Sequence, residues 1–166
     1  MPPTDLRDVL IAELTDALGA DRRLLDVWPA LEQAASARTL KRFCAEGVDY
    51  TEDRIRRLET AFAILKAKAA AKSLDAIGCL IKDALDVAGA GDAGPVRDAA
   101  ILAAIQKLSH YGHASYGSIV GFAETLSEDA VAKLLEASLD EKGEAIEEMT
   151  DMAADEIDVR ATRADA

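Results

Sequence analysis

The chain has 166 residues and a formal net charge of -12. Half of its residues are apolar but only 4% are aromatic, so a core has to be assembled from Ala, Leu, Ile and Val, which favours close-packed helices over sheets. The length suits one domain, and the acidic balance argues against nucleic acid or an anionic membrane as partner, because phosphate surfaces are met by clustered Lys and Arg.

Pro2 and Pro3 precede Thr4, the expected N-cap of a first helix from Asp5 to Ala35. Its apolar stripe is Leu10, Leu14, Leu18, Leu25, Trp28 and Leu31, at the 3.6-residue period of a one-sided helix. Pro29 falls inside this pattern and predicts a kink, or a split after Trp28. A second helix is expected from Ala37 to Lys68, with Leu40, Phe43, Cys44, Val48, Ile55, Leu58, Phe62 and Leu65 on its apolar side. Ser73 can cap a shorter helix, Leu74 to Val87, with Ile77, Leu80, Ile81 and Leu85 facing inward. Gly89, Gly91 and Gly94 mark a break. This glycine-rich loop lacks the preceding strand that a phosphate-binding unit requires, so it reads as a connection. Pro95 suits the first position of a long helix that runs to Leu126, with Ile101, Ile105, Leu108, Tyr116 and Ile119 on its stripe. Ser127 is the expected cap of a last helix carrying Val131, Leu135, Leu139, Ile146, Met149 and Met152. From Asp155 onward a charged, loose tail is expected, so the chain divides into a bundle over 1–156 and a tail over 157–166.

Four long helices with a short one in the single long connection describe an all-α, ferritin-like four-helix bundle. Cys44 and Cys79 are too few for a disulfide framework and read as small buried apolar residues. No signal-peptide pattern and no run of about 18 apolar residues appears, so a soluble, cytoplasmic protein is expected.

The informative positions are those that interrupt the stripes. Asp21 follows Leu18 by three residues and precedes Trp28 by seven. Lys142 lies between Leu139 and Ile146 on the same face. Arg54 lies one turn before Leu58, with Tyr50 a turn earlier, and Gly112 stands between Leu108 and Tyr116. Charges at such places have to be paired or hydrated, and inward carboxylates and histidines at mid-depth are how bundles build metal sites. His110 and His113, three apart on one helix, and Asp49 and Glu52, three apart on another, are spaced to reach a common ion. Structural histidines and an exposed acidic face are the commoner meanings of such pairs. Gly47 and Gly112 remove side chains from facing positions, which leaves room for a small cavity.

The stretches Glu13 to Leu25, Arg57 to Glu59, Arg97 to Ala100, Ala104 to Gly117 and Leu134 to Glu141 resemble the YciE/YciF family of bacterial ferritin-like stress proteins, with Ala104 to Gly117 the most specific. The resemblance spans about residues 5–153 and implies a dimeric di-metal carboxylate bundle. Aligned with that family, its ligand positions fall on Asp21, on Gly47, Tyr50 and Arg54, on Ser109 and Gly112, and on Lys142 and Ile146. Only Asp21 and the neighbouring His110 keep ligand character. A di-metal pair needs several carboxylates to balance about four positive charges, whereas this sequence adds Arg and Lys.

The expected function is therefore a non-catalytic, stress-related homodimeric bundle with a degenerate metal site, in which Asp21, Tyr50, Arg54 and Lys142 form a buried polar cluster. No cofactor and no small-molecule substrate is expected. The alternative is an iron or manganese oxidase or iron-handling protein using Asp21, Asp49, Glu52, His110 and His113, and a cage-forming iron store ranks below it.

Overall fold

The computed structural model describes residues 3–71 and 75–163. Its elements are α1 (Leu6–Ala34), α2 (Arg38–Ile64), α3 (Asp75–Gly89), α4 (Pro95–Thr125), α5 (Asp129–Met152), a π-helical turn (Ala153–Ile157) and α6 (Asp158–Thr162). There is no strand among the described residues, and no helix there is long and apolar enough to cross a membrane. The four long helices form the ferritin-like bundle expected from the stripes.

The linkers at 35–37 and 126–128 make α1/α2 and α4/α5 tight antiparallel pairs, and these are the most extensive contacts in the molecule. The pairs meet along α1/α4 and α2/α5, and α3 lies against both α1 and α4. Two aliphatic cores result. One joins the end of α1 (Leu24, Leu31) to the start of α2 (Leu40, Cys44), the start of α4 (Ile101, Ile105) and the end of α5 (Met149). The other joins the start of α1 (Leu10, Leu14) to the ends of α2 (Leu58, Phe62) and α4 (Ile119) and the start of α5 (Leu135). This grouping makes α2 and α4 run in the same direction, which requires the long connection between them.

The corner between α1 and α2 is closed from α4. No local side chain caps α2. Instead the backbone N–H groups of Ser36 and Ala37 donate to the two carboxylate oxygens of Asp98 at 2.7 and 2.8 Å. The neighbouring Arg97 donates to the Ala34 carbonyl at 2.9 Å, at the end of α1. Two consecutive residues thus satisfy orphan groups of opposite polarity at two helix ends.

Several expectations are corrected. Asp5, not Thr4, caps α1, accepting from the Asp8 N–H at 2.8 Å, while the Thr4 hydroxyl donates to the Asp8 carboxylate. α1 is not split at Pro29, because the proline sits on the exposed side of a continuous helix. Leu25 is half-buried, and Leu24 and Val27 enter the core in its place. α2 ends at Ile64, short of Lys68. Ser127 does not cap α5: it adopts a left-handed φ of 55°, which lets the Glu128 N–H bond back to the Ala123 carbonyl and close the end of α4. Lys66, with φ 52°, ends α2 in the same way. Leu85 is exposed. Ser73 and Leu74 lie outside the described residues.

The chain beyond Asp155 is not a loose tail as far as it is described. The π-turn places Ile157 five residues after Met152 and back on the core, where it is 1% exposed, and the Thr39 hydroxyl donates to Glu156 at 2.7 Å. A 3.6-residue period would turn Ile157 away; the wider turn restores its phase. The bundle therefore continues through α6 to Thr162.

Replacing Asp98 by Ala leaves two N–H donors at the buried α2 terminus without their acceptor. The Asp98→Ala variant is expected to lose about 3 kcal/mol. A urea titration checks this, with a lower midpoint at unchanged slope as the expected result.

Candidate functional site

The two aliphatic cores are separated at mid-depth by a polar layer to which every long helix contributes. Asp21 comes from α1, Thr51 and Arg54 from α2, Tyr116 from α4, and Ser138 and Lys142 from α5, and all six are buried. Their placement follows from helical phase. Asp21 is one turn from Leu18 and Leu24, and Arg54 is one turn from Leu58, so each polar side chain is carried inward by apolar neighbours.

Asp21 is the centre of the layer. Its Oδ2 accepts the Tyr116 hydroxyl at 2.7 Å, and its Oδ1 lies 3.5 Å from Arg54 Nε. The latter is an ionic contact and not a hydrogen bond, since Nε is buried without a hydrogen-bond partner. Arg54 Nη2 donates to the Thr51 hydroxyl at 2.7 Å, and the Trp28 indole N–H donates to the same oxygen at 2.9 Å. The Thr51 hydroxyl in turn donates to the Gly47 carbonyl at 2.6 Å. On the flank, Arg57 binds Glu141 through both nitrogens at 2.8 and 2.6 Å and donates to Ser138 at 3.2 Å. That pairing raises the Arg57 pKa and ties α2 to α5.

Lys142 completes the layer differently. Its ammonium occupies the space a side chain at Gly112 would take, because a Cβ there would lie 2.6 Å from Nζ. Nζ also stands 5.4 Å from the centre of the Tyr116 ring, within cation–π range. Burial, and then the nearby Arg54, lower the Lys142 pKa to about 8, with Asp21 and Glu141 opposing. Burial and the Asp21 charge hold the Tyr116 pKa well above its ordinary value, so Tyr116 keeps its proton and remains the hydrogen-bond donor to Asp21.

Two cavities flank the layer. One, of about 110 Å³, opens between α2 and α5 beside Trp28, Gly47, Tyr50, Arg54 and Lys142. The other, of about 450 Å³, lies between α1 and α4 beside Asp16, Asp21, Tyr111, Tyr116 and Lys142. Lys142 borders both. Gly47 lines the smaller cavity and Gly112 the larger, as the removal of side chains there suggests, although the space directly over each is taken: the Trp28 indole presses on Gly47, where a Cβ would meet ring carbons at 2.9 Å, and Lys142 lies against Gly112.

Of the residues singled out in the sequence, Asp21, Arg54 and Lys142 do meet in the buried layer. Tyr50 does not: it is 51% exposed and lines the outer wall of the smaller cavity, because its helical phase carries it past the core edge. Asp49, Glu52 and His110 are exposed, and His113 is half-buried facing Gly143 on α5. Among the described residues no group of three His, Cys, Asp or Glu side chains is arranged to hold a metal ion. Cys44 is buried and its thiol is pushed up to about 12, but Cys79 is exposed, against expectation. Thr51, Tyr116 and Ser138 belong to the layer and were not singled out as site residues. Tyr116 is hidden by its place in an apolar stripe, where only its hydroxyl marks it.

Residues 5–162 match the family described as "Domain of unknown function (DUF892)". Protein YciF of Escherichia coli (strain K12) is 31% identical over 159 residues, covering 94% of this chain and 95% of that protein. The chain belongs to the YciF family. The crystal structure of the E. coli stress protein YciF superposes with a TM-score of 0.88 over 92% of this chain and 96% of that one, at 31% identity. The solved structure of YcfI from Rhodopseudomonas palustris gives 0.84 at 29% identity, over 89% of this chain and 94% of that one. A protein from Xanthomonas campestris shares the fold at 17% identity, with a TM-score of 0.78 over 98% of this chain and all of that one.

The inner layer can be tested against the di-metal centre that the YciF-family resemblance implies. It offers one carboxylate, Asp21, already engaged by Tyr116 and Arg54, and two cationic ends. Glu141 is held by Arg57. This donor set does not fit a pair of divalent cations, which needs several free carboxylates.

The buried ammonium gives a pH signature. The folded pKa of Lys142 lies below its unfolded value of about 10.4, so between about pH 8 and pH 10 the unfolded chain binds more protons here and this group's contribution to stability rises with pH. Cys44 and Tyr116 act in the opposite sense, since each keeps when folded a proton that the unfolded chain releases. Comparison with Lys142→Met cancels those two. From about pH 7.5 to about pH 9.5, the unfolding free energy of the wild type should gain about 2 kcal/mol relative to the variant. A pH-independent difference between the two urea titrations would contradict the assignment.

Proposed function

We propose that this protein is a metal-independent, non-catalytic member of the YciF family, in which a cationic cluster has taken the place of a di-metal centre, and that it serves a structural role in stress physiology. The observation that carries this reading is the pairing of Asp21 with Arg54 while Lys142 fills the space at Gly112. In the alignment that the family resemblance implies, both cations fall at positions where a carboxylate bundle directs negative charge, and bringing a divalent pair there would set like charges against each other in a poorly screened interior. The description of E. coli YciF as a stress protein, and the structural role proposed in the naming of YcfI, support the physiological part. Resemblance to a family of dimers supports association of two copies, which light scattering measures directly.

The test is metal content. Protein purified from cells grown with added iron or manganese, then analysed by plasma mass spectrometry, should carry far less than one ion per chain. Close to two ions per chain would overturn the reading in favour of an oxidase or iron-handling protein.

A further inference from the structure

Lys142 has a property that stabilising Asp21 does not require. It is 6% exposed, yet it makes no hydrogen bond or ion pair among the described residues, and Tyr116 offers it only a ring face. Asp21 is spoken for by Arg54 and Tyr116. The nitrogen borders both cavities, and the larger, at about 450 Å³, lies within the range of small-molecule sites. A desolvated lysine beside another cation is the arrangement that turns an amine into a nucleophile.

The surroundings select the guest. Asp16 and Glu13 are half-buried on the wall of the larger cavity, and Glu46, Glu144 and Glu148 stand at the smaller one, so an anion is repelled on approach from either side. Inside the larger cavity Asp21 is already engaged by Arg54 and Tyr116, so the charge presented to an incoming cation there is that of Lys142. An uncharged molecule with a polar acceptor and an apolar body suits the rest of that wall, where Ala17, Ala20, Leu24 and Leu108 stand beside the hydroxyl-bearing Tyr111 and Ser115.

We propose that Lys142 is a covalent site for small uncharged aldehydes, which it captures reversibly as an imine in the cavity between α1 and α4. The neutral amine nitrogen adds to the carbonyl carbon. The carbonyl oxygen then leaves as water with both amine protons, and a carbon–nitrogen double bond replaces the carbon–oxygen one. No oxidant or reductant is consumed, and hydrolysis returns the free lysine and the aldehyde. This goes beyond the structural role proposed above, and metal content decides that reading without bearing on this one.

The full chain is treated at pH 7 with a limiting amount of butanal and cyanoborohydride, which reduces an imine to a stable secondary amine. Peptide mapping then locates the added butyl group. The expected result is labelling of Lys142 at least about tenfold over any exposed lysine, since its nitrogen is far more often unprotonated at that pH. The preference should vanish when the same protein is labelled in urea, because the fold creates it. In Lys142→Met, verified as helical by circular dichroism, the surface background alone should remain. Labelling confined to surface lysines in the folded protein, or an equal preference for Lys142 in urea, would overturn the proposal.

Discussion

The bundle is organised around one buried carboxylate. Asp21 cannot be left unpaired in an aliphatic interior, so the helices must approach it with donors, and they do so from two directions, Arg54 on α2 and Tyr116 on α4. That requirement fixes the register of α1 against both neighbours at the same depth. Slipping either helix by a turn would bury the charge against Leu side chains. A buried ion pair contributes little net stability against its desolvation, but breaking it by removing one partner is costly. The layer is thus better understood as a device that selects one alignment of the helices than as the source of the bundle's stability, which comes from the two aliphatic cores on either side.

The second constraint sits at the α1/α2 corner. Short linkers force helix ends into the protein, where their backbone groups lose water. The ends of α1 and α2 present a carbonyl and two N–H groups side by side, and the adjacent Arg97 and Asp98 match them in sign and position. This clamp also sets the start of α4, whose direction decides that α2 and α4 run parallel. The mid-depth layer and the corner clamp therefore position α4 at two points along its length, and Gly112 comes to face α5 because both are satisfied.

Much of this was legible in the amino-acid pattern. The stripes located the long helices because one face of each is Leu, Ile or Ala, and the interruptions at Asp21, Arg54 and Lys142 marked the layer because a charge on such a face has to be paired or hydrated. What escaped has specific causes. Tyr50 lies one turn before Arg54, but a turn of four residues rotates past the core edge, and phase along a long helix is not resolved by counting. Ile157 follows a π-turn, which a fixed period misses. Ser127 has the composition of an N-cap, yet the end of α4 claims it first, since hydrogen bonding to Ala123 needs a left-handed residue there. Asp98 looks like an ordinary first-turn acid of α4; its role as cap of a different helix, across 61 positions of chain, depends wholly on tertiary placement.

The composition of the layer bears on how a bundle of this kind can hold its fold around side chains alone. Removing inward carboxylates alone would leave a wet void at the centre and free the helices to slip. Here side chains occupy the centre instead: Lys142 extends into the space at Gly112, and the Trp28 indole closes over Gly47 while donating to Thr51. The net charge of the layer is positive. Arg54 and Lys142 against Asp21 leave the centre with one cation in excess when Lys142 is protonated, and that cation is the one without a hydrogen-bonding partner. Packing alone would be met by an apolar residue at position 142, since Leu or Met would fill the same space without the desolvation cost. Retention of an ammonium, at the junction of two cavities, is a cost to the fold that neither packing nor helix register explains.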